Sequence, residues 1–245
     1  MALLEARGLT RRFGGLFAVR RLDLAVERGE ILGLIGPNGA GKTTLFHMLS
    51  GALRPSEGSI YFEGQRLDGL PPHVICRRGV ARTYQIVRPF PNLTVLTNVL
   101  VGMRFGRRGG GMPAVAARRE ALRALELTGL IREAETPARA LTLPDRKRLE
   151  IARALATRPK LLLLDEVAAG LNPSELEEAL ELIRKIRVAG TTLIFIEHVM
   201  KAVMGLSDRV VVLHHGQKIA EGKPAEVASN ADVKTAYLGF RERAR

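Results

Sequence analysis

The sequence contains little cysteine, few aromatic residues and no long apolar run. Its single cysteine, Cys76, cannot form an internal disulfide and indicates a cytosolic protein with a structural thiol. Aromatic residues make up 4% of the chain, without tryptophan and without basic–aromatic alternation, which argues against a stacking platform for nucleic acid. Apolar runs such as 161–164 are far shorter than the ~20 residues of a membrane-spanning helix. The N-terminus reaches Glu5 and Arg7 after three apolar residues, which does not match a secretory signal.

Acidic residues are also scarce: 25 stand against 38 basic ones, and the formal net charge is +13 at pH 7. This balance indicates an anionic partner, either nucleic acid or a membrane face, or else a solvated basic surface without a partner. The hypothesis of a membrane-facing surface depends on eight arginines in the middle of the chain, which are Arg77, Arg78, Arg82, Arg104, Arg107, Arg108, Arg118 and Arg119.

The hydrophobic pattern predicts an α/β fold. Residues 22–27 alternate between apolar and polar, 30–36 form a continuous apolar run, and 59–64 follow as a third strand. Helical spacing of apolar residues marks three later segments, 114–130, 145–159 and 173–190, and a glycine-rich loop is predicted at 104–113. Further apolar strands are predicted at 160–166, 191–198 and 208–216. Such alternation indicates a parallel sheet covered on both faces by helices.

The strongest local motif is "GPNGAGKTT" at 36–44, which follows a buried strand and opens a helix, as a phosphate-binding P-loop requires. Lys42 is predicted to reach the β- and γ-phosphates, and Thr43 to ligate Mg²⁺. A bare loop-to-helix turn would not need a lysine and a hydroxyl together in this register. The predicted nucleotide-binding residues of the loop are Gly36, Pro37, Asn38, Gly39, Ala40, Gly41, Lys42, Thr43 and Thr44.

An acidic pair ends the apolar strand at 160–166. Asp165 suits the coordination shell of Mg²⁺, and Glu166 suits the general base or water-positioning group of phosphoryl transfer. Both lie at the carboxyl end of a strand, which is the edge where open parallel sheets bind ligands. The simpler alternative is a pair of solvated carboxylates, and the P-loop argues against it.

These motifs, in this order along nearly the whole chain, resemble those of the ATP-binding cassette (ABC) ATPases. The resemblance implies a P-loop NTPase (RecA-like) core with an N-terminal antiparallel β part and an inserted helical subdomain. It implies a single domain over 1–245, in which the core takes 1–87 and 160–224, the helical subdomain 88–159 and a C-terminal tail 225–245.

The resemblance assigns roles to further residues. Phe13 matches the aromatic residue that stacks on adenine, with Phe17 as the alternative. Gln85 matches the glutamine that joins the nucleotide site to the helical subdomain and the transport partner, and it is predicted at both the catalytic and the metal site. His198 matches the histidine that contacts the γ-phosphate, and Asn172 lies in the loop that faces a second subunit. Taken singly, these residues also fit a core aromatic, a surface amide and a strand-end histidine.

Residues 141–145, "LTLPD", match the family's signature loop, typically Leu-Ser-Gly-Gly-Gln, which grips the γ-phosphate bound to the opposite subunit. Thr142 keeps a hydroxyl, whereas Leu143 and Pro144 replace the glycines and Asp145 replaces the glutamine. Proline has no N–H to donate, and a carboxylate near ATP is unfavourable. The spacing from Thr142 to Asp145 still predicts a helix start. We therefore expect an intact helix and a weakened anion grip.

Segments such as "RTYQIVRPFPNLTVLTNVLVG" and "RLEIARALATRPKLLLLDEVAAGLNP" resemble more narrowly the ATPase subunits of bacterial branched-chain amino-acid importers. That branch implies an ATPase that binds MgATP and lies peripherally at the cytoplasmic face of the inner membrane. Its implied partners are two membrane permease subunits, a second and different ATPase subunit, and a periplasmic or extracellular solute-binding protein. Nucleic acid is not among them.

Two alternatives stay open at the level of sequence. One is a soluble, non-transport ATPase of the same fold that acts on nucleic acid or on protein assembly. The other is a nucleotide-binding regulatory module with little catalytic activity, because of "LTLPD".

Overall fold

The computed structural model describes residues 2–84, 88–107 and 112–242, with the last five of these as backbone only. Its strands are β1 Leu4–Phe13, β2 Leu16–Val26, β3 Ile31–Ile35, β4 Glu57–Phe62, β5 Gln65–Arg66, β6 Val80–Arg82, β7 Leu161–Asp165, β8 Thr192–Ile196, β9 Arg209–His214 and β10 Gln217–Gly222. Its helices are α1 Lys42–Leu49, α2 Pro72–Arg78, α3 Val95–Phe105, α4 Ala114–Leu127, α5 Leu143–Ala156, α6 Pro173–Val188, α7 Met200–Leu206, α8 Pro224–Ser229 and α9 Ala231–Glu242.

The chain divides into two compact units. The first combines residues 1–72 with 192–245, and the second takes 73–191. This division does not test the predicted single domain with its core, helical subdomain and tail, which stays a prediction.

An antiparallel sheet forms the N-terminal part of the first unit, with the strand order β2-β1-β4-β5. In β2 the side chains of Leu22, Leu24 and Val26 are buried, whereas those of Asp23 and Ala25 between them are exposed. Successive side chains of a strand point to opposite faces, so this alternation buries one face of the sheet and exposes the other. The predicted N-terminal antiparallel part is confirmed.

A second sheet of the first unit is built around β3. This strand pairs in parallel with β8 on one side and with β9 on the other, and β10 pairs antiparallel with β9. All five residues of β3 and all five of β8 are buried. Strands that are covered on both faces need apolar residues at every position, which explains the continuous runs in the sequence.

The second unit contains the helices predicted from apolar spacing. Helices α3, α4 and α5 pack around one apolar cluster, whose buried members are Val95, Leu96, Val99, Ala121, Leu125, Leu130, Ala134, Ala138, Leu141, Leu149, Ala152 and Ala156. A Cβ atom on Gly102 would lie 2.5 Å from the carbonyl oxygen of Arg153, so glycine permits the close approach of α3 to α5. In the same unit β6 pairs in parallel with β7.

The predicted loop at 104–113 is shorter in the structure, because Arg104 and Phe105 belong to α3 and Ala114 begins α4. Its central residues, 108–111, lie outside the described residues. Across the part of the chain that the structure describes, no helix combines the length and apolar character needed to cross a bilayer.

The buried strand β8 gives a test of the core. Phe195 is 1% exposed, and we expect Phe195→Ala to lower the free energy of unfolding by about 3–5 kcal/mol, because the substitution leaves a cavity. Phe105 is 67% exposed, and Phe105→Ala is the matched control, with an expected change of about 0.5 kcal/mol or less. Urea denaturation followed by circular dichroism measures both variants. Equal losses would contradict the placement of Phe195 in the core.

Candidate functional site

The glycine-rich loop joins the end of β3 to the start of α1. Gly36 and Gly41 have φ angles of 148° and 103°, in the region that favours glycine. A Cβ atom on Gly36 would lie 2.1 Å from the carbonyl oxygen of Leu213, and one on Gly41 would lie 2.3 Å from that of Ala18. Both positions therefore exclude a side chain, and the loop follows a tight path between β9 and β2.

Lys42, the first residue of α1, lies inside this loop. Its side chain is buried, and its Nζ donates hydrogen bonds to the carbonyl oxygens of Gly36, at 2.6 Å, and Pro37, at 3.0 Å. The N-terminus of a helix carries about half a positive charge, which adds to the ammonium. Asn38 and Thr43 are exposed beside it. The loop thus concentrates positive charge and backbone N–H groups, the combination that binds phosphate.

The other loop residues divide by exposure. Pro37 and Ala40 are buried, Gly39 is exposed and Thr44 is partly buried. The N–H of Gly216 donates to the carbonyl oxygen of Ala40 at 3.0 Å, so the turn after β9 also supports the loop.

His198 lies at the same edge of the sheet as the glycine loop. Because β3 and β8 run parallel, with Leu34 opposite Ile196, both strands end at this edge. The side chain of His198 is exposed, and its backbone N–H donates to the carboxylate of the buried Glu197 at 3.2 Å. The position is compatible with the γ-phosphate contact predicted for this histidine.

The β1–β2 hairpin contains both candidate aromatics, and the carbonyl of Ala18, the residue after Phe17, lies against Gly41 of the glycine loop. Phe13 and Phe17 are 47% and 38% exposed, so either ring has a free surface. The Arg11 guanidinium lies 4.6 Å from the centre of the Phe13 ring. Adenine stacking by Phe13, with Phe17 as the alternative, stays a prediction.

In the second unit, Asp165 ends β7 as a buried residue. Its Oδ2 accepts a hydrogen bond from the guanidinium of Arg82 at 2.7 Å, and both side chains are almost completely buried, at 3% and 4% exposed. Its backbone N–H donates to the hydroxyl of Thr83 at 3.1 Å. Arg82, the last residue of β6, therefore holds the side chain of Asp165, and Thr83, the next residue, holds its backbone.

This geometry corrects the hypothesis that Arg82 belongs to a membrane-facing basic surface. A side chain that is 4% exposed cannot meet headgroups, and its charge is paired internally. Removal of one partner from such a buried pair typically costs about 3–5 kcal/mol, because the other charge is left unpaired. The position of Arg82, directly after the apolar residues Val80 and Ala81 of a short strand, was a signal for burial.

Glu166 follows in an unusual backbone conformation. Its φ is +50°, in the left-handed region, which costs a residue other than glycine about 1–2 kcal/mol. Its side chain is partly buried and lines a small pocket together with Thr83, Tyr84, Lys147, Glu150, Ile151, Asp165 and Val167. Strain of this kind often marks a functional site, where the surroundings hold the residue in place.

Glu150 of α5 is a third carboxylate in this pocket, beside Asp165 and Glu166, and the motifs did not point to it. Its carboxylate accepts a hydrogen bond from the N–H of Tyr84 at 2.8 Å. Burial raises the pKa of Glu150 to about 7, and the charge of Asp165 acts in the same direction, while the Tyr84 hydrogen bond and Arg153 oppose the shift. A single sequence gives no signal for this role, because a glutamate at one position of an amphipathic helix is ordinary.

The degenerate loop at 141–145 leads into α5 as predicted. Thr142 is the N-cap and accepts a hydrogen bond from the N–H of Asp145 at 3.3 Å, and its hydroxyl lies 2.6 Å from the Asp145 carboxylate. Leu143 is 56% exposed, and Pro144 lies in the first turn, where helices tolerate proline. The helix start is confirmed, and the Thr142 hydroxyl is engaged within its own chain.

The donors predicted for Mg²⁺ have the chemistry that this ion prefers. Thr43 offers a hydroxyl and Asp165 a carboxylate, and Mg²⁺ usually takes one or two protein oxygens together with phosphate and water. Among the described residues, no group of three or more histidine, cysteine, aspartate or glutamate side chains forms a metal cluster, and such a site does not need one. Gln85, predicted at the catalytic and metal site, lies outside the described residues.

Comparison with known families gives two matches along the chain. The family described as "ABC transporter" matches residues 19–169. A shorter one, described as "Branched-chain amino acid ATP-binding cassette transporter", matches residues 217–239, which contain β10 and α8.

Individual proteins show the same similarity. The chain is 46% identical to the high-affinity branched-chain amino acid transport ATP-binding protein LivG of Salmonella typhimurium, over 97% of this chain and 98% of that protein. Among solved structures, the ADP conformation of an ATP-binding cassette of an ABC transporter superposes with a TM-score of 0.87 at 29% identity, over 98% of this chain and 99% of that one. A dimeric cassette bound to ADP and Pi, in a post-hydrolysis state, gives a TM-score of 0.81 at 25% identity, over 90% of this chain and 98% of that one.

The raised pKa of Glu150 predicts a pH-dependent stability. The folded protein holds the proton more tightly than the unfolded chain, so this stabilisation is complete below about pH 4.5 and is lost as the pH rises through about 7. The neutral variant Glu150→Gln should match the parent near pH 4.5. At pH 8 it should be more stable by about 1–3 kcal/mol, after allowance for solvent screening.

Urea denaturation of the parent and of Glu150→Gln at both pH values measures this difference. Glu178 of α6 has a side chain that is 58% exposed, and Glu178→Gln is the matched control, for which we expect no such change with pH. A difference between Glu150→Gln and the parent that stays constant from pH 4.5 to 8 would disprove the proton uptake.

Proposed function

This chain belongs to the ABC transporter family, and on that premise we propose that it is the ATP-binding and ATP-hydrolysing subunit of an importer for branched-chain amino acids. The proposed ATP binding is supported by one observation: the glycine loop closes around the buried Lys42 ammonium at the start of α1. The solute class is supported by the similarity to LivG along almost the whole chain. These similarities do not favour the two alternatives, a non-transport ATPase that acts on nucleic acid or protein assembly and a regulatory nucleotide-binding module.

In the proposed site, the glycine loop binds the phosphates of ATP together with Lys42 and Thr44 of the first turn of α1. Phe13 or Phe17 stacks on the adenine. These roles follow from the charge and tight backbone of the loop and from the exposed aromatic rings of the hairpin. His198 contacts the γ-phosphate.

For hydrolysis, Glu166 accepts the proton of the attacking water and holds that water in position. Thr43, Asp165 and Gln85 would hold Mg²⁺, which would offset the charge of the phosphates. Arg82 keeps the Asp165 carboxylate in one orientation, and Thr83 holds the backbone N–H of Asp165. Each of these assignments is a proposal for this chain.

The proposed assembly contains two membrane permease subunits, two ATPase subunits and a periplasmic or extracellular solute-binding protein. This chain lies peripherally at the cytoplasmic face of the membrane. Its net charge of +13 favours that position, since basic residues near an anionic membrane contribute about 1 kcal/mol each.

We propose further that the ATPase pair is a heterodimer. In the "LTLPD" loop the Thr142 hydroxyl is engaged with Asp145, and Pro144 has no N–H, so the loop offers few donors to a phosphate on another subunit. In a face-to-face dimer, each ATP site would combine the glycine loop of one subunit with the signature loop of the other. In a homodimer both sites would therefore contain "LTLPD". A partner with an intact signature would complete the site that uses Lys42 and Glu166 of this chain.

The hydrolytic role of Glu166 is tested by Glu166→Gln. We expect turnover to fall by about 10² or more while MgATP still binds, because the amide cannot accept the proton. Lys42→Ala should instead weaken ATP binding. A fluorescent ATP analogue measures affinity, and phosphate release measures turnover. The control is Glu181→Gln, an exposed α6 glutamate paired with Arg184, which should behave like the parent. Parent turnover in Glu166→Gln would disprove the assignment.

The heterodimer proposal is tested by restoring the signature with Leu143→Gly, Pro144→Gly and Asp145→Gln together. The parent alone should be a slow ATPase and mostly monomeric with ATP, since one or two missing charge-assisted hydrogen bonds, at about 1.5–3 kcal/mol each, slow a site tenfold or more. The triple variant should dimerise more and turn over faster, as measured by light scattering and phosphate release. An unchanged triple variant, with a parent that already works at full transporter rate, would contradict the proposal.

A further inference from the structure

Lys147 lies on α5, one turn after its start, and reaches the segment that follows Glu166. Its Nζ donates hydrogen bonds to the carbonyl oxygen of Val167, at 3.1 Å, and to that of Ala169. Two carbonyl groups of one short loop therefore point at the same ammonium. Hydrogen bonds with a charged donor are about twice as strong as neutral ones, so this contact is a strong tie between the helix and the loop.

The loop that Lys147 holds also contains backbone hydrogen bonds of its own. Glu166 has its left-handed φ of +50°, and its carbonyl oxygen accepts from the N–H of Ala169 at 3.3 Å. The N–H of Leu171 donates to Ala168 at 3.2 Å. Lys147 adds a charged donor from outside the turn to these two backbone hydrogen bonds.

The next residue on α5 behaves differently. Arg148 forms ion pairs with Asp145 of its own helix and with Glu178 of α6. Within the described part of the chain, Arg148 forms no hydrogen bond or ion pair with the turn after β7, although its charge has the same sign and its side chain a similar length. A comparison of the two neighbours therefore distinguishes two effects. Lys147 contacts the turn after Glu166, whereas Arg148 contacts helix α6.

We propose that Lys147 is a positioning residue for Glu166: by holding the carbonyls of Val167 and Ala169 it fixes the turn that presents the Glu166 carboxylate. The inference rests on the proposed hydrolytic function. Through Lys147, helix α5, whose N-cap is Thr142, then contacts the turn that contains Glu166. A displacement of about 1 Å in a reacting group can cost about 10² in rate, so the turn need not unfold to lose activity.

The test compares Lys147→Met, Lys147→Arg and the control Arg148→Met in the full chain. Methionine keeps most of the side-chain length and removes the donor, whereas arginine restores donors to both carbonyls. We expect Lys147→Met to lower kcat about tenfold or more and to leave ATP affinity within about twofold, because Glu166 acts on the chemical step and not on binding. Lys147→Arg should recover most of kcat, and Arg148→Met should retain it.

Hydrogen exchange supplies the second readout. Amides of residues 166–171 should exchange faster in Lys147→Met than in the parent, and Arg148→Met should leave their exchange unchanged. Equal kcat and equal exchange in Lys147→Met and Arg148→Met would overturn the proposal, as would a loss of kcat without faster exchange in this segment. A parent that binds but does not hydrolyse ATP would overturn the proposed function instead, and the exchange comparison would still decide whether Lys147 holds the turn.

Discussion

The absence of space for side chains between β3 and α1 is the constraint on which the first unit depends. At Gly36 and Gly41 the backbone passes so close to carbonyl groups of β9 and β2 that a Cβ atom would collide with them. Only this path lets the Lys42 ammonium reach the carbonyls of Gly36 and Pro37 at the helix N-terminus. The parallel pairing of β3 with β8 then brings the His198 segment to the same edge.

The second unit holds several acidic side chains in largely buried positions. Asp165 is paired with Arg82, and Glu150 is held by the N–H of Tyr84 with a pKa near 7. Burying an unpaired carboxylate would be costly, and each of these carboxylates has its own means of reducing that cost. Helix α5 contributes to the pocket through Lys147 and Glu150, and it begins at the degenerate loop. The degenerate loop at 141–145 and the acidic pocket are therefore connected by the first half of α5.

Much of the fold was predictable from sequence. The continuous apolar runs of β3, β7 and β8 and the alternation in β2 are visible without any structure, because burial on one or two faces imposes its own residue period. The loop at 104–113 was predicted too long, since α3 continues through Arg104 and Phe105 and ends at its C-cap residue Gly106. Arg82 was misplaced on the surface, because the sequence around it does not show its partner Asp165, which lies 83 positions away.

By itself, the sequence determined the elements whose signals lie within a few residues: the glycine loop with Lys42 and Thr43, the acidic pair after β7, and the capped start of α5. Only the tertiary structure decided the contacts between distant segments. Arg82 meets Asp165 across 83 positions, Glu150 meets Tyr84 across 66, and Lys147 meets Val167 across 20. The reason is physical: local motifs depend on backbone geometry and spacing along the chain, whereas a buried charge finds its partner only after strands and helices have packed.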